Sequence, residues 1–90
     1  MDEIKDNDAA RRFELAEPGG VSFATYARSG DVVTILHVET PAALRGRGAA
    51  ARLMAGVAAR ARADGFRIRP VCSYAVAWFA RHRDEGDVLA

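Results

Sequence analysis

Phe13 and Leu15 alternate with Arg12, Glu14 and Ala16, and this two-residue period predicts a strand over residues 11–17. Pro18-Gly19-Gly20 then signals a turn. Val21, Phe23 and Thr25 alternate with small or polar neighbours, so a second strand is expected over residues 21–28. Ser29-Gly30-Asp31 reads as a hairpin loop into a third strand, residues 32–40. That strand is apolar at successive positions, the pattern of a central strand covered on both sides. From Ala49 to Asp64 the period lengthens. Leu53, Met54, Val57, Ala58 and Ala61 form one stripe at helical spacing, and Gly65 suits the position just past a helix end. A fourth strand over residues 66–71 precedes a helix over residues 74–81, which Ser73 can cap and which Val76, Phe79 and Ala80 give an apolar side.

The predicted order is β-β-β-α-β-α, a mixed α/β fold. Short connections make the first three strands antiparallel, and a right-handed crossover through the helix makes the third and fourth parallel. Residues 1–10 read as a flexible N-terminal tail, and residues 11–90 as one domain with a charged C-terminal end over residues 83–90. Ninety residues suffice for one compact domain with a modest core. The acidic, polar start is not that of a signal peptide, and no apolar run has the length of a membrane span. A single cysteine, Cys72, permits no internal disulfide, which fits a reducing cytoplasm.

The formal net charge of +1 conceals an uneven distribution. Residues 1–8 hold four acids against one lysine, whereas residues 45–69 hold seven arginines against Asp64 alone. Such a run is either a solvated helix face, the reading preferred for Arg60 and Arg62, or a positive field for an anionic ligand. The arginines are spread around a helix and few aromatics are interleaved with them, so a nucleic-acid surface is not expected.

The turn between the third strand and the first helix carries the strongest chemical signal. Gly46 and Gly48 let the backbone take positive φ and approach a ligand closely. The helix that follows aims unpaired N–H groups and its positive dipole end into the turn. Arg45 and Arg47 add charged donors, while Ala49 and Ala50 leave room for phosphates. The stretch is not a Walker loop, because no Gly-Lys-Ser/Thr follows, and no third glycine completes a dinucleotide fingerprint. Taken alone, it is compatible with a plain glycine turn before a helix. His37 and Glu39, two apart on one strand, project to one face, where either can take a proton from an amine; the ordinary alternatives are a buried, hydrogen-bonded core histidine for His37, preferred on the residues alone, and a surface residue or arginine partner for Glu39. Cys72 ends the fourth strand at a helix start, where a thiol's pKa is lowered. A small buried hydrophobe is the ordinary role of such a residue. Two histidines and one cysteine scattered along the chain make no metal site.

Arg45-Gly46-Arg47-Gly48-Ala49-Ala50 resembles the acetyl-CoA motif of GNAT acetyltransferases, with Arg45, Gly48 and Ala50 on its three defining positions. His37-Val38-Glu39-Thr40-Pro41, Pro70-Val71-Cys72-Ser73-Tyr74 and Arg81-His82 are similar, in the same order, to motifs of one small group of that family, over roughly residues 12–89. Arg83, where that group has proline, and Asp84-Glu85-Gly86, which lacks its usual aromatic, depart from the pattern. The resemblance implies a minimal GNAT-like fold that binds acetyl-CoA at residues 45–50 and transfers acetyl to an amine acceptor, a protein among the candidates. That small group lacks the first helices and last strands of full-length GNAT enzymes, so the resemblance implies an open cleft and an unguarded sheet edge, which favours a macromolecular acceptor or self-association. On this reading His37 or Glu39 is the base and Cys72, activated by His37, an acetyl carrier, while Tyr74 is either a proton donor to the departing thiolate or a helix-start aromatic packed on the sheet. The alternative is a non-catalytic module that binds CoA or another protein.

Overall fold

The computed structural model describes residues 3–90. Five strands, β1 (Lys5–Asn7), β2 (Arg12–Glu17), β3 (Gly20–Ser29), β4 (Val32–Glu39) and β5 (Arg67–Pro70), form one sheet in chain order. β1 through β4 are antiparallel neighbours, and β5 joins β4 in parallel after the crossover helix α1 (Ala49–Asp64). Helix α2 (Ser73–Arg81) follows β5, and a 3₁₀ segment, Arg83–Val88, ends the chain. The fold is the expected mixed α/β order with one added strand. Among the described residues no helix is long and apolar enough to cross a membrane.

The added strand corrects the expectation of a flexible tail for residues 4–10. Its sequence, Lys-Asp-Asn, has no apolar alternation, and tertiary contacts fix it instead. Ile4 is buried in the core against α1. The backbone at Gly56 makes room for it, since a Cβ there would overlap the Ile4 side chain. The Arg60 guanidinium donates to the Ile4 carbonyl at 2.7 Å, and the Tyr26 hydroxyl donates to Asp6 across the sheet at 2.6 Å. Met1 and Asp2 of the expected tail lie outside the described residues.

Both helices pack on one face of the sheet. The predicted α1 stripe of Leu53, Met54, Val57, Ala58 and Ala61 is buried there with Phe13, Leu15, Val33, Ile35 and Ile68. From β3 it is Ser22, Ala24 and Tyr26 that face this core, not the alternate set Val21, Phe23 and Thr25. Small Ser22 and Ala24 leave room for α1 above them, and Phe23 lies on the other face under the Arg12 guanidinium, 4.3 Å away. The expectation that the third strand is covered on both sides is therefore corrected: Leu36 on β4 is 49% exposed. On α2 the buried side is Ala75, Trp78 and Phe79, while Val76 and Ala80 face outward. Ser73 begins α2 but does not cap it; Cys72 occupies the cap position, and no side chain bonds there.

The C-terminal end is not a loose tail. Val88 is buried, Leu89 forms a parallel bridge with Ile68, and the Ala90 N–H donates to the Ile68 carbonyl at 2.8 Å. This covers part of the β5 edge that the sequence reading left unguarded. Arg60 and Arg62 keep the solvent-facing position expected of them, with side chains 37% and 40% exposed, and each also ties α1 to a chain end, Arg60 to the Ile4 carbonyl and Arg62 to Glu85 and Asp87.

Candidate functional site

A bulge sets the chemistry of β4. Thr25 lies opposite His37 and Tyr26 opposite Ile35, so Leu36 is an extra residue on β4. Beyond it, Val38 turns toward the core opposite Ala24, which leaves His37 and Glu39 on the open face. Their side chains are 58% and 55% exposed, and His37 Nε2 lies 3.3 Å from Glu39 Oε1. They share a face, as their spacing predicts, and form a hydrogen-bonded pair.

The turn after β4 begins with a 3₁₀ segment, Ala42–Leu44, whose Leu44 side chain is buried. Gly46 and Gly48 take φ of +78° and +74°, the left-handed region that glycine enters without strain. A Cβ at either would meet nothing within 4 Å, so the backbone here borders open space. The first bond closing α1 runs from Arg52 N–H to Gly48 O at 3.0 Å. The N–H groups of Ala49, Ala50 and Ala51 precede any partner within the helix and carry its positive end.

Two adjoining cavities start from this turn. One, of about 260 Å³, is lined by Gly46, Gly48, Ala49, Ala50 and Ala51 together with Thr40, Arg45 and Tyr74. The other, of about 350 Å³, is lined by His37, Val38 and Glu39, and again by Thr40, Arg45, Ala50 and Tyr74. The four shared residues join them into one groove from the glycine turn to the His37–Glu39 pair. Arg45 lies along both and donates from Nε to the Thr40 carbonyl at 3.3 Å, whereas exposed Arg47 lines neither. Tyr74, in the first turn of α2, is half-buried, and burial raises its pKa against a smaller lowering by Arg81. Its hydroxyl therefore stays protonated at neutral pH.

Cys72 is not among the residues that line this groove. It is half-buried against the core, lines neither cavity, and makes no side-chain hydrogen bond to His37 among the described residues. The expected His37–Cys72 pair is not present. His82 is structural: it stacks on Trp78 with ring centres 4.3 Å apart, and its Nδ1 lies 2.8 Å from the Trp78 carbonyl. Trp78 and Phe79 belong to the core.

Sequence reasoning passed over Thr40. It lines both cavities, and its Oγ1 is buried with no hydrogen-bond partner among the described residues. Glu17 Oε2, Ser22 Oγ and Trp78 Nε1 are likewise buried without a partner among the described residues, so its place on both cavities is what sets Thr40 apart. The only signal in the chain is its place before Pro41 at the strand end. No group of three or more His, Cys, Asp or Glu side chains suited to a metal ion occurs among the described residues.

The model of a family described as GCN5-related N-acetyl-transferase matches residues 12–88. The match runs from the start of β2 to the buried Val88 and includes every residue of the groove. No curated protein matches the chain.

Proposed function

The chain belongs to the GCN5-related N-acetyltransferase family, and from that premise we propose that it binds acetyl-CoA in the groove and transfers the acetyl group to an amine. One observation carries the reading: a continuous groove joins an anion-ready turn to a proton-accepting pair, with a protonated phenol between them. The amides of Ala49, Ala50 and Ala51 and the glycine peptides fit a pyrophosphate, with Arg45 beside them. The open space at Gly46 and Gly48, where any side chain would stand, fits close approach of that group. Thr40 Oγ1, buried and unpartnered, is a hydrogen-bonding group available to the pantetheine arm after a side-chain rotation.

The thioester carbonyl is the electrophile. The acceptor amine forms the new C–N bond, the C–S bond breaks, and the amine proton passes to the Glu39–His37 pair. Tyr74 supplies a proton to the sulfur that leaves. Since Cys72 lines neither cavity, direct attack by the acceptor is favoured over an acetyl-cysteine route. The exposure of His37 and Glu39 suits an amine carried by a macromolecule, such as a lysine side chain, because no wall encloses a small acceptor.

The test is release of CoA thiol from acetyl-CoA with a panel of amines, including lysine-containing peptides. Acceptor-dependent release, much reduced in Glu39→Gln, is the expected result. CoA binding with no turnover on any acceptor would leave a CoA-binding module in place of an enzyme.

A further inference from the structure

The glycine turn is braced by a part of the sheet distant in sequence. The Pro18-Gly19-Gly20 corner joining β2 to β3 closes on the segment that feeds the turn. A Cβ on Gly20 would stand 2.8 Å from Pro41 Cγ, and one on Gly19 would stand 3.0 Å from Leu44 Cδ2. Beside this contact Glu17, the last residue of β2, accepts from Arg52 Nη1 at 2.9 Å. The other arm of the same guanidinium, Nη2, donates to the Arg47 carbonyl at 3.3 Å. Arg52 is also the residue whose N–H closes the first turn of α1 on Gly48. The pair is mostly sheltered, with side chains 20% exposed for Glu17 and 35% for Arg52.

The peptide between Arg47 and Gly48 is a rigid plane, with its carbonyl and N–H on opposite sides. Fixing the Arg47 oxygen therefore fixes the direction of the Gly48 N–H. Without a brace, two glycines at positive φ flank an exposed residue, and glycine loses the most conformational freedom on ordering. Ordering the turn before a ligand arrives removes that cost from binding. A fork is needed to reach a carboxylate and a carbonyl together, which guanidinium provides and ammonium does not.

We propose that Glu17 and Arg52 form a strut that presets the Arg47–Gly48 peptide for the ligand's phosphates, with Arg52 a positioning residue rather than a phosphate contact. The proposal rests on the cofactor reading above, and the experiment separates the two. CoA affinity and the backbone order parameters of Gly46 and Gly48 in the free protein are measured for the parent, Glu17→Gln, Arg52→Lys and the double variant. Each single variant should bind CoA about tenfold more weakly, the size of one charge-assisted hydrogen bond. Each should also lower the order parameters at the two glycines while those of β3 and β4 stay at the parent values. The double variant should be no weaker than the worse single one, because both act through one unit. Parent-like affinity and parent-like glycine order in Glu17→Gln would overturn the strut. So would additive losses in the double variant, which would mean that Arg52 meets the ligand itself. If the parent fails to bind CoA, the cofactor reading falls. The order parameters then still decide the strut, supported by loosening confined to the turn and overturned by its absence.

Discussion

Replacing Gly56 with alanine tests the packing of the N-terminal strand with a change of sign. Gly56 lies inside α1, where helix propensity alone makes alanine more stable by about 1 kcal/mol. The structure predicts the reverse, because the new Cβ would occupy the place of the Ile4 side chain. Ile4 is 5% exposed, and losing its burial costs roughly 2 kcal/mol. The net effect is destabilisation by about 1 kcal/mol, a fall in Tm of roughly 4–8 °C for a domain of this size. Ile4→Ala removes the obstruction, so in that background Gly56→Ala should raise Tm, with a coupling of roughly 2 kcal/mol across the cycle. Thermal unfolding followed by circular dichroism measures all four proteins. A Gly56→Ala variant more stable than the parent would show that Ile4 does not sit on α1, and the case for β1 would go with it.

Three further outcomes are expected. Tyr74→Phe should lower kcat about a hundredfold with little change in KM for acetyl-CoA, because proton donation is lost and binding is kept; an unchanged kcat would remove Tyr74 from the chemistry. Cys72→Ser should keep most activity, and mass spectrometry after mixing with acetyl-CoA alone should find no acetyl on Cys72; trapped acetyl-Cys72 together with an inactive serine variant would restore the covalent route. Acid should destabilise the fold. Hydrogen bonds from Asn7 and Arg12 lower the Glu14 pKa, and the bond from Arg62 lowers that of Asp87. A folded-state pKa below the unfolded one contributes stability above about pH 4 that is lost as pH falls through the folded value. Tm should therefore drop as pH falls below about 4.5, and less steeply in Arg62→Gln; a flat profile would contradict the role of these bonds.

The elements that the chain reveals are those whose own residues satisfy them. The α1 stripe is buried as its period predicts, and Gly65 ends the helix at φ +81° with its N–H on the Ala61 carbonyl. Gly46 and Gly48 take the positive φ that the motif requires. What stayed hidden depends on partners far away in sequence. β1 exists because Ile4 meets Gly56 and Asp6 meets Tyr26, contacts that no local pattern announces. The faces of β3 and β4 were obscured because apolar residues stand on both, and the bulge at Leu36 resets the alternation midway. That bulge also decides the site. It leaves His37 beside Glu39 on the open face, while Cys72 lies half-buried against the core. The Glu17–Arg52 tie spans 35 residues and was illegible for the same reason.

The central claim is that the glycine turn holds CoA, and calorimetric titration of CoA into the parent, Gly48→Val and Gly30→Val tests it most directly. Gly48 and Gly30 both have positive φ, +74° and +60°, and a Cβ at either meets nothing in the protein within 4 Å. Each valine therefore carries a similar backbone strain, about 1–2 kcal/mol or more for a β-branched residue. They differ in place, since Gly48 caps α1 at the proposed phosphate turn and Gly30 lies at the far hairpin between β3 and β4. The account predicts CoA binding by the parent that weakens with added salt, binding by Gly30→Val like the parent's, and none by Gly48→Val. Equal binding by the two variants, or no binding by the parent, would contradict it.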